Sequence, residues 1–419
     1  MKEKKNRLDR RGFLKTVGAA GIGSVLVGGG CAQKGAEAPA IQPSQADYAK
    51  VPRRVLGRTG VEIPCVGLGG VFNLIENQTI LGATLEYGID YWDTATNYSN
   101  TKSQQGIGRY LAAHPGLREK IFLVSKPIDL EDEIPNVAQF EEDLHTSLKR
   151  MNTDYVDLYC GLHGMWDAAQ LTDEVRDWAA SAKKRGLIRY FGFSTHANMA
   201  ACLAAAAKCD WVDVILTMYN FQWAEDEEMQ KALDACYNAG IGLIAIKTQR
   251  KASLEPLDSF SEDEHKLVTH FTERGFTPGQ AKLKFVLDDK RFAAAAVGMN
   301  ELDILKQNVA AALDKTQLTE KDRSVLHEYA RATCSGYCAG CADICRAAVP
   351  DVPYINHIMR YLMYYNSYGH EERAKRLFRR IPKSVRRRLL KVDYSLAEAR
   401  CPNRLPIRRA VEEAVTKLA

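Results

Sequence analysis

The chain runs to 419 residues, 46% hydrophobic and 26% charged, with a formal net charge of +5. Ordinary globular composition at that length excludes a marginal mini-domain and accommodates one large α/β domain with appendages. So small a charge for the size gives no case for nucleic acid as a partner. The basic excess gathers at the C-terminus, where sixteen Lys/Arg stand against seven Asp/Glu from Asp351 onward. Arg386-Arg387-Arg388 in that stretch reads as a solvated helix face or as a docking patch.

At the N-terminus a polar, basic start leads into Asp9-Arg10-Arg11-Gly12-Phe13-Leu14-Lys15 and then a Gly/Ala/Val-rich run to Gly30. Val17 to Gly30 carries no charge, holds too many glycines for a stable helix and is short for a permanent span. Residues 1–31 therefore read as a twin-arginine signal peptide, addressed to the twin-arginine translocation machinery. The expected location is periplasmic, or membrane-anchored and facing outward. Cys31 after Gly28-Gly29-Gly30 loosely resembles a lipoprotein cleavage box, which leaves a lipid anchor at Cys31 open, although an apolar residue is expected where Gly28 stands. Residues 32–50, rich in Ala, Pro, Gln and Ser, read as a flexible linker. The twin-arginine route resembles that of proteins that load cofactors before export, which points to a bound metal or nucleotide.

From Val55 to about Asp314, short apolar or β-branched runs alternate with helical patterns, the signature of right-handed βαβ units around a buried parallel sheet. The expected strands are Cys65–Gly69, Ile89–Asp93, Ile121–Ser125, Val156–Cys160, Ile188–Phe193, Val212–Thr217, Gly242–Ile246 and Ala294–Val297. Eight such units make an α/β (β/α)8 TIM barrel. Val55-Leu56-Gly57 and Val61-Glu62-Ile63, turned by Thr59-Gly60, read as a hairpin plugging its floor. The expected organisation places the barrel over residues 51–325 and a helical, cysteine-rich extension over residues 326–419.

Chemistry in such barrels sits at the C-terminal ends of the strands. Asp93 ends the second expected strand and Tyr98 follows five residues on; Lys126 ends the third; His163 follows the fourth. This pattern resembles the aldo-keto reductase family, whose barrel places Asp, Tyr, Lys and His at these strand ends, and the resemblance covers about Val51 to Asp314. It implies hydride transfer between a nicotinamide cofactor and a small carbonyl or alcohol substrate. A tyrosine phenol, with an ordinary pKa near 10, is too weak an acid to protonate an alkoxide well at neutral pH. A neighbouring ammonium lowers that pKa, and a buried ammonium needs a carboxylate to stay charged. Hence Tyr98 is expected as proton donor, Lys126 as its tuner, Asp93 as counter-ion, and His163 as the group that hydrogen-bonds the substrate carbonyl.

The resemblance implies a cofactor grip that is only partly present. Ser194 stands where the carboxamide is bonded, but Thr195 replaces Asn, Leu216 replaces Gln, and Ile246 replaces the stacking aromatic. After the eighth strand Gly298, Asn300 and Asn308 remain, without the Arg fork that would recognise a 2′-phosphate. Glu301 would repel a phosphate there, whereas Lys247 adds positive charge. NAD and NADP both stay open as the cofactor.

Cys334-x3-Cys338-x2-Cys341-x3-Cys345, with a distant Cys401-Pro402, departs from the bacterial ferredoxin run at its first cysteine and in lacking a proline after Cys345. It resembles the iron-sulfur extension of some aldo-keto reductases. That resemblance implies a 4Fe-4S cluster on Cys334, Cys338, Cys341 and Cys401, with Cys345 spare or a substitute ligand, and a redox partner. Structural zinc and disulfides are the competing readings. Cys65, Cys160, Cys202, Cys209 and Cys236 lie in apolar contexts expected of core residues. A competing reading of the whole chain is a ligand-binding or electron-transfer protein on the same fold.

Overall fold

The computed structural model describes residues 48–128, 136–249, 262–333, 336–367 and 369–419. The expected signal peptide, Cys31 and nearly all of the linker lie outside these residues, as does Cys334.

β1 (Arg53–Val55) and β2 (Glu62–Pro64) pair antiparallel around a turn at Gly57–Thr59. Their buried side chains Leu56 and Ile63 join Tyr91, Leu158, Val214 and Ile244 in one cluster. The hairpin thus seals the barrel floor. Gly57 makes this closure, because it adopts φ 50° and a Cβ there would lie 2.4 Å from the Gly240 carbonyl.

Eight parallel strands form the closed barrel: β3 (Val66–Gly69), β4 (Tyr91–Asp93), β5 (Phe122–Ser125), β6 (Val156–Met165), β7 (Ile188–Thr195), β8 (Val214–Met218), β9 (Gly242–Ile246) and β10 (Phe292–Val297). β10 pairs with β3 and β9 to complete the ring. Strands buried on both faces need apolar residues at every position, which is why they read as continuous runs. The pleat still divides them: Tyr91 belongs to the cluster inside the barrel, whereas Trp92 belongs to the layer between strands and helices. Asp93, one position further, returns to the inner face at the C-terminal rim.

β6 is longer than expected and carries His163 on the strand itself. Its pairing with β7 shifts register between Cys160 and Leu162 and again between His163 and Met165. Such bulges re-aim a side chain, here next to Ser194, the Cα partner of His163.

Helix Glu320–Thr333 crosses the expected boundary after residue 325, and its Leu326 and Tyr329 pack into the barrel's outer core. Beyond it, helices Ala342–Ala348, Ile355–Asn366, Glu371–Arg380, Lys383–Arg386, Ser395–Arg400 and Ile407–Leu418 build a second core. That core includes Ile358, Leu362, Phe378, Tyr394 and Val411. The segment between the helices docks on the barrel rim, where the Asn198 amide donates to the Gly340 carbonyl at 2.8 Å. No described helix is long and apolar enough to cross a membrane.

Candidate active site

The C-terminal rim gathers Asp93, Tyr98, Lys126 and His163. Lys126 is 2% exposed and Asp93 4%. The Lys126 ammonium donates to Asp93 Oδ1 and, at 3.0 Å, to the Thr94 carbonyl. Burial alone would lower the Lys126 pKa. Asp93, with Tyr98, reverses that and holds the ammonium above its ordinary range. Behind it the Thr96 amide and hydroxyl both donate to the Lys126 carbonyl, at 2.9 and 3.1 Å.

Tyr98 sits half-buried in the loop after β4, with the Lys126 Nζ 4.9 Å from its ring centroid. Three left-handed residues, Ser99, Asn100 and Thr101, turn the chain directly into helix Lys102–Ala113 and fix the loop. Burial pushes the phenol's pKa up, and the opposing charge of Lys126 does not cancel that. The expected net lowering therefore does not occur in the protein alone; the phenol is firmly protonated and able to donate. His163 meets the Tyr98 ring edge-on at 6.1 Å. Its Nδ1 lies 2.7 Å from the Pro127 carbonyl, which can only accept, so Nδ1 carries the proton. A neutral ring then keeps Nε2 as an acceptor, suited to an alcohol hydroxyl, and donates to a carbonyl oxygen only as imidazolium.

A buried Asp–Lys pair beneath a tyrosine and a histidine, at the rim of a closed eight-stranded barrel, coincides with a family match. Residues 66–330 match the model of the aldo/keto reductase family. The chain belongs to the aldo/keto reductase family. It is 26% identical over 306 residues to an uncharacterized oxidoreductase, YqkF, of Bacillus subtilis, covering 67% of this chain and 96% of the relative. It is 24% identical over 289 residues to L-galactose dehydrogenase of Arabidopsis thaliana, covering 64% and 90%. Among solved structures, the thermostable aldo-keto reductase Tm1743 in complex with the inhibitor epalrestat superposes with a TM-score of 0.54 at 25% identity, covering 66% of this chain and 99% of that one. The protein is accordingly an NAD(P)-dependent oxidoreductase, as aldo/keto reductases are.

The residues expected to hold the nicotinamide cofactor are scattered in role. Ser194 is buried and its hydroxyl accepts from the Gly164 amide at 3.1 Å. The Thr195 hydroxyl donates inside its own loop, to the Ala197 carbonyl at 3.0 Å. Gly298 and Asn300 are exposed at the rim, and Asn308, 1% exposed, accepts from Gln249 at 2.7 Å through Oδ1. Thr217 Oγ1 at the end of β8, Thr248 Oγ1 just past β9, and Asn308 Nδ2 are buried and find no partner among the described residues. Buried polar atoms of this kind cost free energy unless a ligand or water meets them, so the rim from β8 to β10 fits a polar cofactor. Lys247 follows β9 in a left-handed backbone conformation, φ 57°.

Cys338, Cys341, Cys345 and Cys401 share one neighbourhood, close enough that Cys338 senses the charge of the other three. Cys338 and Cys401 each accept a backbone N–H at 3.4 Å, from Gly340 and Leu405. Among the described residues no group of three or more ligating side chains is drawn into metal-binding geometry. The five cysteines of the barrel are thiols, all buried except the half-buried Cys209.

Sequence reasoning missed the contribution of the extension to this rim. Helix Ile355–Asn366 brings Asn356 and Arg360 against His196, Met218 and Lys247 at the ends of β7, β8 and β9. Arg373 acts on both Tyr98 and His196. The C-terminal basic excess was the one signal in the chain that pointed to them.

Proposed function

We propose that the chain is an exported reductase or dehydrogenase that interconverts a small carbonyl, such as a sugar or polyol derivative, and its alcohol. The observation that carries the catalytic part is the buried Lys126–Asp93 pair under Tyr98. A bound nicotinamide supplies the hydride. Tyr98, protonated in the folded protein, gives its proton to the alkoxide oxygen, and the charged Lys126 steadies the phenolate left behind. His163, with Nε2 as acceptor, orients the hydroxyl of the alcohol in the reverse, oxidising direction. Ser194, Thr217, Thr248, Lys247 and Asn308 would hold the cofactor; with no Arg fork after β10, NAD serves at least as well as NADP.

Residues 1–31 address the chain to the twin-arginine machinery, with Cys31 open to lipidation, and place it in the periplasm or on an outward-facing membrane surface. Cys334, Cys338, Cys341 and Cys401 would hold a 4Fe-4S cluster, with Cys345 spare or a substitute ligand; clustered thiols and N–H donors to the sulfurs of Cys338 and Cys401 suit such a cluster chemically. Such a cluster would exchange electrons with a redox partner.

Purified full-length protein supplied with NADH or NADPH and a panel of aldehydes and ketones tests the catalytic reading. Tyr98→Phe is expected to lower kcat by roughly 10²–10⁴-fold. Equal activity in the variant and the parent refutes it. Iron and sulfide content of anaerobically purified protein, and their loss in Cys341→Ser, test the cluster.

A further inference from the structure

The C-terminal extension carries a run of like charge that the barrel chemistry does not use. Residues 376–391 hold eight Lys/Arg and no Asp or Glu. Their apolar neighbours Leu377, Phe378, Ile381, Val385 and Leu389 all enter the extension's core, which leaves the cations between them outside. Arg376, Arg379, Lys383, Arg387 and Lys391 are exposed and make no ion pair among the described residues. Arg388, by contrast, reaches the exposed Asp351 at 3.3 Å.

Arg379 lies in the last turn of helix Glu371–Arg380, where a cation complements the helix dipole. Lys383, Arg387 and Lys391 lie beyond that helix and have no such reason. Like charges set this close repel one another and weigh against the compact state, which points to a partner outside the chain.

Two leucines stand exposed beside these cations. Leu390, 47% exposed, directly precedes Lys391, and Leu396, 46% exposed, lies in the next helix, Ser395–Arg400. The turn between them is held firmly. The Tyr394 hydroxyl donates to the Leu389 carbonyl at 2.9 Å, and the Arg408 guanidinium donates to the Leu390 and Val392 carbonyls, both at 3.1 Å. A fixed turn that presents leucines to water beside unpaired cations matches a surface offering phosphate and hydrocarbon together. Guanidinium groups meet phosphate oxygens as a planar fork. A nucleic-acid duplex offers the phosphates without an apolar layer for the leucines.

We propose that residues 376–396 form a face that docks the protein on an anionic phospholipid surface, with Arg379, Lys383, Arg387 and Lys391 at the headgroup phosphates and Leu390 and Leu396 among the first acyl carbons. Such contact is peripheral, because no described helix is long and apolar enough to cross the bilayer. It stands independently of the reductase reading.

The test is sedimentation of the full-length protein with phosphatidylcholine vesicles, with and without phosphatidylglycerol, at low and at physiological salt. Anionic vesicles are expected to bind about a hundredfold more tightly at low salt, an advantage that shrinks as salt rises. Each cation at such a surface contributes about fivefold. The triple variant Arg379→Gln, Lys383→Gln, Arg387→Gln should therefore lower partition onto anionic vesicles about a hundredfold, and Leu390→Ser about three- to tenfold. These side chains are exposed, so circular dichroism should show the fold unchanged. Neutralising three exposed barrel cations instead, Lys120, Lys184 and Lys231, should leave partition within about twofold of the parent, since charges far from the contact are screened. Equal binding to the two kinds of vesicle overturns the proposal, as does a face variant that binds like the parent or a barrel variant that loses as much. Tighter binding to a DNA duplex than to anionic vesicles, lost in the same face variant, would make this a nucleic-acid surface and overturn it too.

Discussion

Replacing Lys126 by Met isolates what the buried ion pair does. Lys126 and Asp93 are 2% and 4% exposed, so neither charge is screened by water. Removing one member of such a pair strands the other, at a cost of about 3–5 kcal/mol. At roughly 2 °C per kcal/mol for a large domain, the melting temperature should fall by about 6–10 °C. The folded state raises the proton affinity of Lys126, so its contribution is fully present below the ordinary lysine pKa of about 10.4 and fades as pH climbs through the higher folded value. Asp93, whose pKa burial raises and only Lys126 lowers, takes up a proton in the variant as pH falls, so the gap between parent and variant should shrink toward acid pH and, above about 10.4, shrink again as Lys126 loses its proton. The double variant Lys126→Met with Asp93→Leu removes both charges and should regain most of the lost stability without regaining turnover, since Tyr98 still lacks its ammonium. Thermal melts followed by circular dichroism, with kcat/KM on the same samples, provide the measurement. A double variant no more stable than the worse single one would refute the reasoning.

Because burial raises the Tyr98 pKa above 10, the phenol stays protonated through neutral pH. Carbonyl reduction should lose no rate to phenol ionisation between pH 6 and 9 and should decline only in the alkaline range, which a pH profile of kcat/KM checks. Gly67→Ala should destabilise the barrel by about 1–3 kcal/mol, because a Cβ there would come within 2.2 Å of the buried Tyr91 ring; urea denaturation reads the loss, and a midpoint unchanged from the parent's contradicts it.

Much of the barrel is legible in the chain because a strand buried on both faces leaves a run of apolar residues that local pattern detects. β9 is observed at its expected limits, Gly242–Ile246. β6 is not: it runs on to Met165 through two register shifts, around Gly161 and Gly164, where the apolar run is interrupted. The order of Asp93, Tyr98, Lys126 and His163 along successive strands was likewise visible, although His163 lies on β6 itself and not in the loop after it. Lys126 does lower the Tyr98 pKa, as the spacing implied, but burial of the phenol outweighs it, and no local spacing encodes burial.

The extension is the part that sequence pattern reached least, and physical reasons explain why. Its placement on the rim depends on contacts such as the Asn198 amide to the Gly340 carbonyl, and on Gly340 itself, whose φ is +76° and where an added Cβ would lie 2.7 Å from the His196 carbonyl oxygen. Such a contact joins residues more than a hundred positions apart and leaves no periodicity behind. Once docked, it sets Cys338 in the same lining as His196 and Lys247. The thiol neighbourhood and the barrel rim therefore adjoin, and a substitution on helix Ile355–Asn366 that leaves every barrel residue intact would still alter the lining shared with His196, Met218 and Lys247.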